Sequence, residues 1–234
     1  MPAMSRRTLT IPRFERIPRI VHGFGTAAWN EDDFATSGDL GSFRTILLDQ
    51  IHSDAVHTIE APSPTRPAGD ALITREAGLL LVIKTADCLP VLIADGKQRV
   101  VAAVHCGWRG TRLGILRKVL DALRSNEGSD PRALLVAMGP CIGPECYEVG
   151  IDVIDEFNRS GFPSRTFKPS PGHPGKYLLD LREANRFLLI ERGVREKNIF
   201  SLNSCTHCRP ELLSYRRDRD KTRRMFAFIG MKGI

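Results

Sequence analysis

Apolar positions concentrate in the middle of the chain, and their period changes there. Leu79–Lys84 is a continuous apolar run of strand length. Val91–Ala94 and Arg99–His105 flank Asp95-Gly96-Lys97-Gln98, a hairpin signal. Gly69-Asp70-Ala71-Leu72-Ile73 leads into this stretch. Beyond Gly107 and Gly110 the period lengthens: Leu113, Leu116, Leu120 and Leu123 mark one face of a helix that Thr111 is placed to cap. Further strands are predicted at Gln50–Ile59, Ala133–Met138, Ile199–Asn203 and Met225–Met231, with a strand or one helical turn at Phe43–Leu48. On a strand over Gln50–Ile59, His52, Asp54 and Val56 share one face. Helices are predicted at Ile151–Asn158 and Leu181–Arg192, the latter stopping at Gly193. Residues 25–43, 61–69 and 160–175 carry Gly, Pro, Asp and Ser without a period and read as loops. Strands and helices intermixed with hairpins favour an α+β fold over a doubly wound parallel sheet. Residues 1–19, basic and proline-dotted, read as an N-terminal arm or short strand that enters the fold near Ile20–Phe24, and 20–234 as a single domain.

The 234 residues are 42% hydrophobic and 26% charged, the balance of an ordinary soluble globular protein. The most apolar stretch, 77–94, is interrupted by Lys84, Asp87 and Pro90, short of the ~20 apolar residues a membrane span needs. Arg6 and Arg7 are not followed by an apolar run, so no secretory leader is expected. Six cysteines in that setting point to reduced thiols and a cytoplasmic location. The net charge of +7 is richest in Arg216, Arg217, Arg219, Lys221, Arg223 and Arg224. That run suits either a solvated basic loop or an anion site for phosphate or a nucleotide. Its few aromatics argue against nucleic acid.

The candidate chemistry lies in Lys84–Gly110, where ThrAlaAspCysLeuPro and HisCysGlyTrpArgGly bracket the hairpin. With His52 upstream, Cys88 and His105 make a Cys/His/His set of the type zinc prefers, leaving a fourth position for water or substrate. The same residues also suit a Cys88 thiolate with a histidine base. They equally suit a buried cysteine with two hydrogen-bonded histidines, and the long-range spacing decides among none of these. Arg109, Arg216 and Arg217 are candidate phosphate ligands, against solvent-facing charge or, for Arg109, a stack on Trp108. The helix start after His105 adds to an environment favourable to anions. Tyr147 and Tyr215 are candidates to contact a planar substrate. Asp87 either moves a proton or shapes the turn before Cys88. Cys205-Thr206-His207-Cys208 is a lone CxxC and a weak zinc signal, with Cys106, Cys141 and Cys146 expected to pack near the same region.

Several segments, taken in order, resemble the YfiH/DUF152 laccase-domain family. They are GlnIleHisSer (50–53), GlyAspAlaLeuIleThr (69–74), LysThrAlaAspCysLeuProValLeu (84–92), AlaAlaValHisCysGlyTrpArgGly (102–110), MetGlyProCysIleGlyProGluCysTyrGluVal (138–149), LeuAspLeuArgGluAlaAsn (179–185) and SerTyrArgArgAsp (214–218). Members of that family carry the names polyphenol oxidase, purine nucleoside phosphorylase and peptidoglycan editing factor. The resemblance implies metal ligation by His52, Cys88 and His105, with zinc expected and copper as the alternative. It implies a monomeric, cytoplasmic α+β domain of packed mixed sheets with helices outside, similar to cysteine-hydrolase-like toxins of the CNF type. It also implies phosphorolysis of purine nucleosides (adenosine, inosine, guanosine, methylthioadenosine) to base and ribose 1-phosphate, with adenosine deamination. The expected partners are a nucleoside and phosphate, with neither nucleic acid nor membrane. Copper-dependent oxidation of phenols, Cys/His hydrolysis of miscoded peptidoglycan precursors, and a non-catalytic metal-binding module are the alternatives. Residues 25–49 are shorter than the corresponding family segment, and His207-Cys208 is not among the matching pieces.

Overall fold

Continuous apolar runs imply strands buried on both faces, and the central strands of this chain meet that condition. The computed structural model describes residues 7–36, 38–97 and 99–233; residues 1–6 of the expected arm and Gln98 of the hairpin turn lie outside it. The strands are β1 (Thr8–Leu9), β2 (Ile20–Gly25), β3 (Arg44–Ile46), β4 (Val56–Thr58), β5 (Ala71–Thr74), β6 (Leu79–Thr85), β7 (Leu89–Asp95), β8 (Val100–Cys106), β9 (Leu135–Met138), β10 (Glu148–Gly150), β11 (Phe167–Pro169), β12 (Lys176–Leu179), β13 (Ile199–Ser201) and β14 (Met225–Met231). The α-helices are α1 (Pro12–Glu15), α2 (Asp33–Thr36), α3 (Trp108–Leu113), α4 (Ile115–Ser125), α5 (Ile151–Arg159), α6 (Leu181–Glu191) and α7 (Tyr215–Asp218). One sheet has the order β1-β2-β14-β6-β3, a second β13-β9-β7-β8-β5-β4, and a small third β10-β12-β11. The fold is α+β with mixed sheets, as expected.

The two large sheets face each other. Leu81, Ile83, Ala227 and Ile229 of one sheet pack on Leu72, Leu92, Val101 and Ala103 of the other. Alternate residues point away from this interior. Leu80, Val82 and Phe228 meet Trp29, Phe34 and Leu40 on the outside of the first sheet. Val91, Ile93, Ala102 and Val104 meet α4, α5 and α6 through Leu116, Leu120, Phe157 and Leu188. Each strand thus feeds two cores with a period of two. Each fully buried Leu or Ile contributes about 1.5–3 kcal/mol, so the β7–β8 hairpin is a stiff base for whatever its ends carry.

Several expected elements differ. Gln50–Ile59 contributes only the three-residue β4, so His52, Asp54 and Val56 do not share a strand face. Thr111 does not cap a helix: α3 already starts at Trp108, and buried Thr111 receives a hydrogen bond from Asn185 Nδ2 at 3.0 Å. Gly114 (φ 80°) then breaks the predicted helix, which leaves Leu113 exposed and starts α4 at Ile115. Of the two readings of the N-terminal segment, the short strand holds within residues 7–19: β1 pairs with β2, and Ile11 and Phe14 are buried.

Candidate metal and substrate site

Strand register assembles the site. Leu89 faces Cys106 and Pro90 faces His105 across β7 and β8, while Ala71 faces Val104 across β5 and β8. One step further along, Cys88 comes opposite Gly107 and Asp70 opposite His105, whose N–H donates to the Asp70 carbonyl at 2.8 Å. Val101 and Ala103 of β8 point between the sheets, and His105 has the same parity at the mouth of that interior. Three adjacent strand ends therefore present a thiol, an imidazole and a carboxylate side by side.

Asp70 organises them. It is fully buried, and its Oδ1 accepts from His105 Nδ1 at 2.7 Å and from the His52 N–H at 3.1 Å. Its Oδ2 accepts from the Ser53 N–H at 2.6 Å and the Ser53 hydroxyl at 2.8 Å. Burial alone would raise the Asp70 pKa; the hydrogen bonds from His105 and Ser53 outweigh it and hold it at about 2. The loop carrying His52 is fixed at its other end by Gln50, whose Nε2 donates to the Lys84 carbonyl at 2.8 Å and whose Oε1 accepts the Lys84 N–H at 2.7 Å. Between these anchors His52 adopts φ 59°, a left-handed conformation uncommon outside glycine and maintained only when its surroundings determine it.

The ring centroids of His52 and His105 lie 5.0 Å apart. A Cβ at Gly107 would fall 3.1 Å from Cys88 Sγ and 3.8 Å from His105 Cε1, so glycine keeps open the space both groups face. Burial opposes charge on His105, but the adjacent Cys88 sulfur and Asp70 raise its pKa to about 9. His52 is lowered by burial and by neighbouring His105, with Asp70 offsetting only part of this. Because Asp70 occupies His105 Nδ1, a metal that displaces the other ring proton would find the lone pair on Nε2, the arrangement found when a carboxylate orients a metal-binding histidine. The Cys88 sulfur and the His105 imidazole face the space that Gly107 leaves free, with His52 beside His105, and a thiol with two imidazoles fits a divalent transition-metal ion in its chemistry. The ligand atoms of His52, Asp70 and His105 all lie within 4.8 Å of one another.

These groups stand in an open cleft of about 790 Å³. Its walls include the expected Arg109, Tyr147, Tyr215 and Arg216, and also Lys84, Arg219, Lys221 and Arg224. Arg109 stacks over Trp108 with Cζ 4.6 Å from the ring. Arg216 lies 5.2 Å over the Tyr147 ring and donates from Nη1 to the Glu148 carbonyl at 2.9 Å. Burial pushes the Tyr147 phenol upward, keeping it a neutral hydrogen-bonding group.

Two of the expected residues make their main contacts elsewhere than with the open space of the cleft. Arg217 is not in the cleft. Its guanidinium binds Asp218 and the carbonyls of Thr206, His207, Arg209 and Leu212, so it clamps the 206–212 loop. Asp87 lines the cleft, but both oxygens are engaged: Oδ1 accepts from the Thr206 hydroxyl and Oδ2 from the Arg216 N–H, each at 2.6 Å. With φ 91° it shapes the turn before Cys88 and ties that turn to the C-terminal segment.

A profile described as multi-copper polyphenol oxidoreductase laccase matches residues 26–232. The chain belongs to this family, the YfiH/DUF152 laccase-domain proteins. A Deinococcus radiodurans relative named purine nucleoside phosphorylase is 36% identical over 94% of this chain and 78% of its own length. Purine nucleoside phosphorylase YlmD of Geobacillus stearothermophilus is 40% identical over 71% of this chain, and the match spans only 61% of that protein. A relative named adenosine deaminase RL5 is 36% identical over 59% of this chain and 53% of its own length. Crystal structures of Bacillus licheniformis YfiH (28% identical, 97% of each chain) and Geobacillus stearothermophilus YlmD (30% identical, 98% of this chain and 97% of that one) each superpose with a TM-score of 0.87.

Within this laccase-domain fold, Asp70, Ser53 and Gln50 are residues that sequence reasoning did not single out. The available signal was a lone carboxylate opening the otherwise apolar strand Asp70-Ala71-Leu72-Ile73. Its partner His105 is set by strand register, which no local motif contains.

Proposed function

We propose that the chain is a zinc-dependent purine nucleoside phosphorylase, with adenosine deamination as a second reaction of the same cleft. The observation that carries this reading is the juxtaposition of Cys88, His105 and His52 with a cationic and aromatic wall in one open cleft. The names of the Deinococcus and Geobacillus relatives support the phosphorylase, and that of RL5 the deaminase.

In phosphorolysis a phosphate oxygen bonds to ribose C1′, the bond from C1′ to purine nitrogen breaks, and the base leaves with a proton from solvent or protein. His52, Cys88 and His105 would hold the zinc, which supplies Lewis-acid charge and a lowered water pKa when bound. Asp70 keeps His105 in the tautomer that presents Nε2. Arg109, Arg216, Lys84 and Arg224 concentrate positive charge where a phosphate enters, and guanidinium forks suit its oxygens. Tyr147 and Tyr215 offer faces and hydroxyls for a purine. Zinc is preferred over copper because thiolate with imidazole and one open position is its catalytic donor pattern. The test is incubation of purified, zinc-loaded protein with adenosine, inosine and guanosine, with and without phosphate, followed by chromatography. The reading expects free base and ribose 1-phosphate only with phosphate, and inosine from adenosine in its absence. Nucleosides unchanged under both conditions overturn it.

A further inference from the structure

A second cluster of metal-ligating side chains stands outside the cleft. The sulfurs of Cys146, Cys205 and Cys208 all lie within 4.8 Å of one another, and those of Cys146 and Cys208 are 3.4 Å apart. A disulfide needs about 2.05 Å. Two thiolates on one tetrahedral zinc, at about 2.3 Å each, stand about 3.8 Å apart. The observed spacing is close to the second value.

The three thiols come from two segments that the fold locks together. Cys146 ends the short turn Pro144–Cys146, and Cys205 and Cys208 belong to the turn after β13. The backbones of Cys141 and Cys205 pair in an isolated parallel β-bridge, both thiols being free, with the Thr206 N–H donating to the Cys141 carbonyl at 3.1 Å. Arg182 Nη2 donates to the carbonyls of Cys141 and Ser204 at 3.2 and 2.7 Å, and the Arg217 clamp holds the other side of the turn. The Gly143 N–H donates to Cys205 Sγ at 3.1 Å. A Cβ at Gly143 would sit 3.2 Å from Cys205 Sγ, so glycine permits the approach. Cys146 and Cys205 are half-buried and Cys208 is exposed, so the cluster is open to solvent on one side.

We propose that Cys146, Cys205 and Cys208 form a second metal centre, a three-thiolate zinc site with one position left to solvent. On binding, the thiols release their protons to solvent and no redox change occurs. The ion would brace two parts of the cleft at once: Cys146 precedes Tyr147, and Thr206, inside the CxxC turn, holds Asp87 beside Cys88. The inference does not depend on the nucleoside reading.

The test compares wild type, Cys208→Ser and Cys88→Ala, each purified with reductant, loaded with zinc, desalted and measured by mass spectrometry of the metal. Two zinc ions per chain are expected in wild type and one in each variant. With cobalt, the Cys88→Ala protein should show a sulfur-to-metal charge-transfer band about threefold stronger than Cys208→Ser, because three thiolates remain rather than one. In wild type, zinc should slow alkylation of Cys208 at least tenfold, and a chelator should restore it; this arm needs no variant to fold. Equal zinc content in wild type and Cys208→Ser, or alkylation of Cys208 unaffected by zinc, overturns the proposal. A Cys146–Cys208 disulfide in reductant-purified wild type also overturns it.

Discussion

Replacing Asp70 with asparagine isolates the device that orients the metal-binding histidine. The residue is fully buried and accepts four hydrogen bonds, at 2.7 Å from His105 Nδ1, 3.1 Å from the His52 N–H, and 2.6 and 2.8 Å from Ser53. Asparagine keeps the size but has one accepting oxygen and an NH₂ that only donates. If the oxygen serves Ser53, the NH₂ meets His105 Nδ1–H and the His52 N–H. The imidazole must then move its proton to Nε2, and the lone pair meant for metal is lost. If the amide flips, the Ser53 N–H is left against a donor. Either arrangement loses at least one hydrogen bond to a charged acceptor, worth about 1.5–3 kcal/mol. At 1.4 kcal/mol per factor of ten, zinc affinity should fall roughly 10- to 100-fold. The backbone pairing of β5 with β8 does not involve this side chain, so the fold persists. The assay is zinc titration against a chromophoric chelator, with far-ultraviolet circular dichroism confirming the fold. A folded Asp70→Asn protein that binds zinc within about twofold of wild type would mean that Asp70 does not orient a metal-binding histidine.

Gly110→Ala should disturb the site from behind, because its Cβ would lie 2.7 Å from the Ser53 carbonyl and push on the loop that carries His52. A stability loss of about 1–3 kcal/mol in urea unfolding is expected together with weaker zinc binding; unchanged zinc affinity would show that the loop does not position a ligand. Arg109→Ala should raise the KM for phosphate about tenfold or more with a smaller effect on the KM for nucleoside, as measured by initial rates; equal effects on both would remove Arg109 from the phosphate site. His22 is buried, accepts the Ile11 N–H at 2.9 Å, and has its pKa lowered to about 4, mainly by burial. Its unfolded value is higher, so the unfolded chain binds the proton first. Stability from this group is full above about pH 6.5 and is lost as pH falls toward 4, by about 3 kcal/mol in all. Urea midpoints across that range should fall less steeply in His22→Gln, and parallel curves would contradict the assignment.

The strands of the two cores were legible because their physics is local. Leu79–Thr85 and Leu89–Asp95 are apolar at every or nearly every position because each face meets a different packed layer, and Asp95-Gly96 reverses the chain between paired strands. Cys88 and His105 were legible as chemistry because they flank that hairpin. His52 was found by residue type but assigned to the wrong structure. The polar alternation of 50–59 looks like a strand, whereas hydrogen bonds to Asp70 and Lys84, distant in sequence, hold the segment as a loop with a left-handed residue. Arg217 shows the same limit. Charge identified a cation beside Arg216, but only the fold shows that Arg216 turns to the cleft while Arg217 turns to four backbone carbonyls. The break at Gly114 was hidden because a glycine within an apolar period is compatible with an unbroken helix until its φ is known.

The most direct measurement of the central claim is base release from inosine by zinc-loaded wild type and Cys88→Ala protein, with and without phosphate, alongside the zinc content of the same samples. Hypoxanthine and ribose 1-phosphate are expected from wild type only when phosphate is present, with both activity and one zinc ion lost in Cys88→Ala. Phosphate-dependent turnover that survives in a Cys88→Ala protein lacking that zinc would contradict the claim.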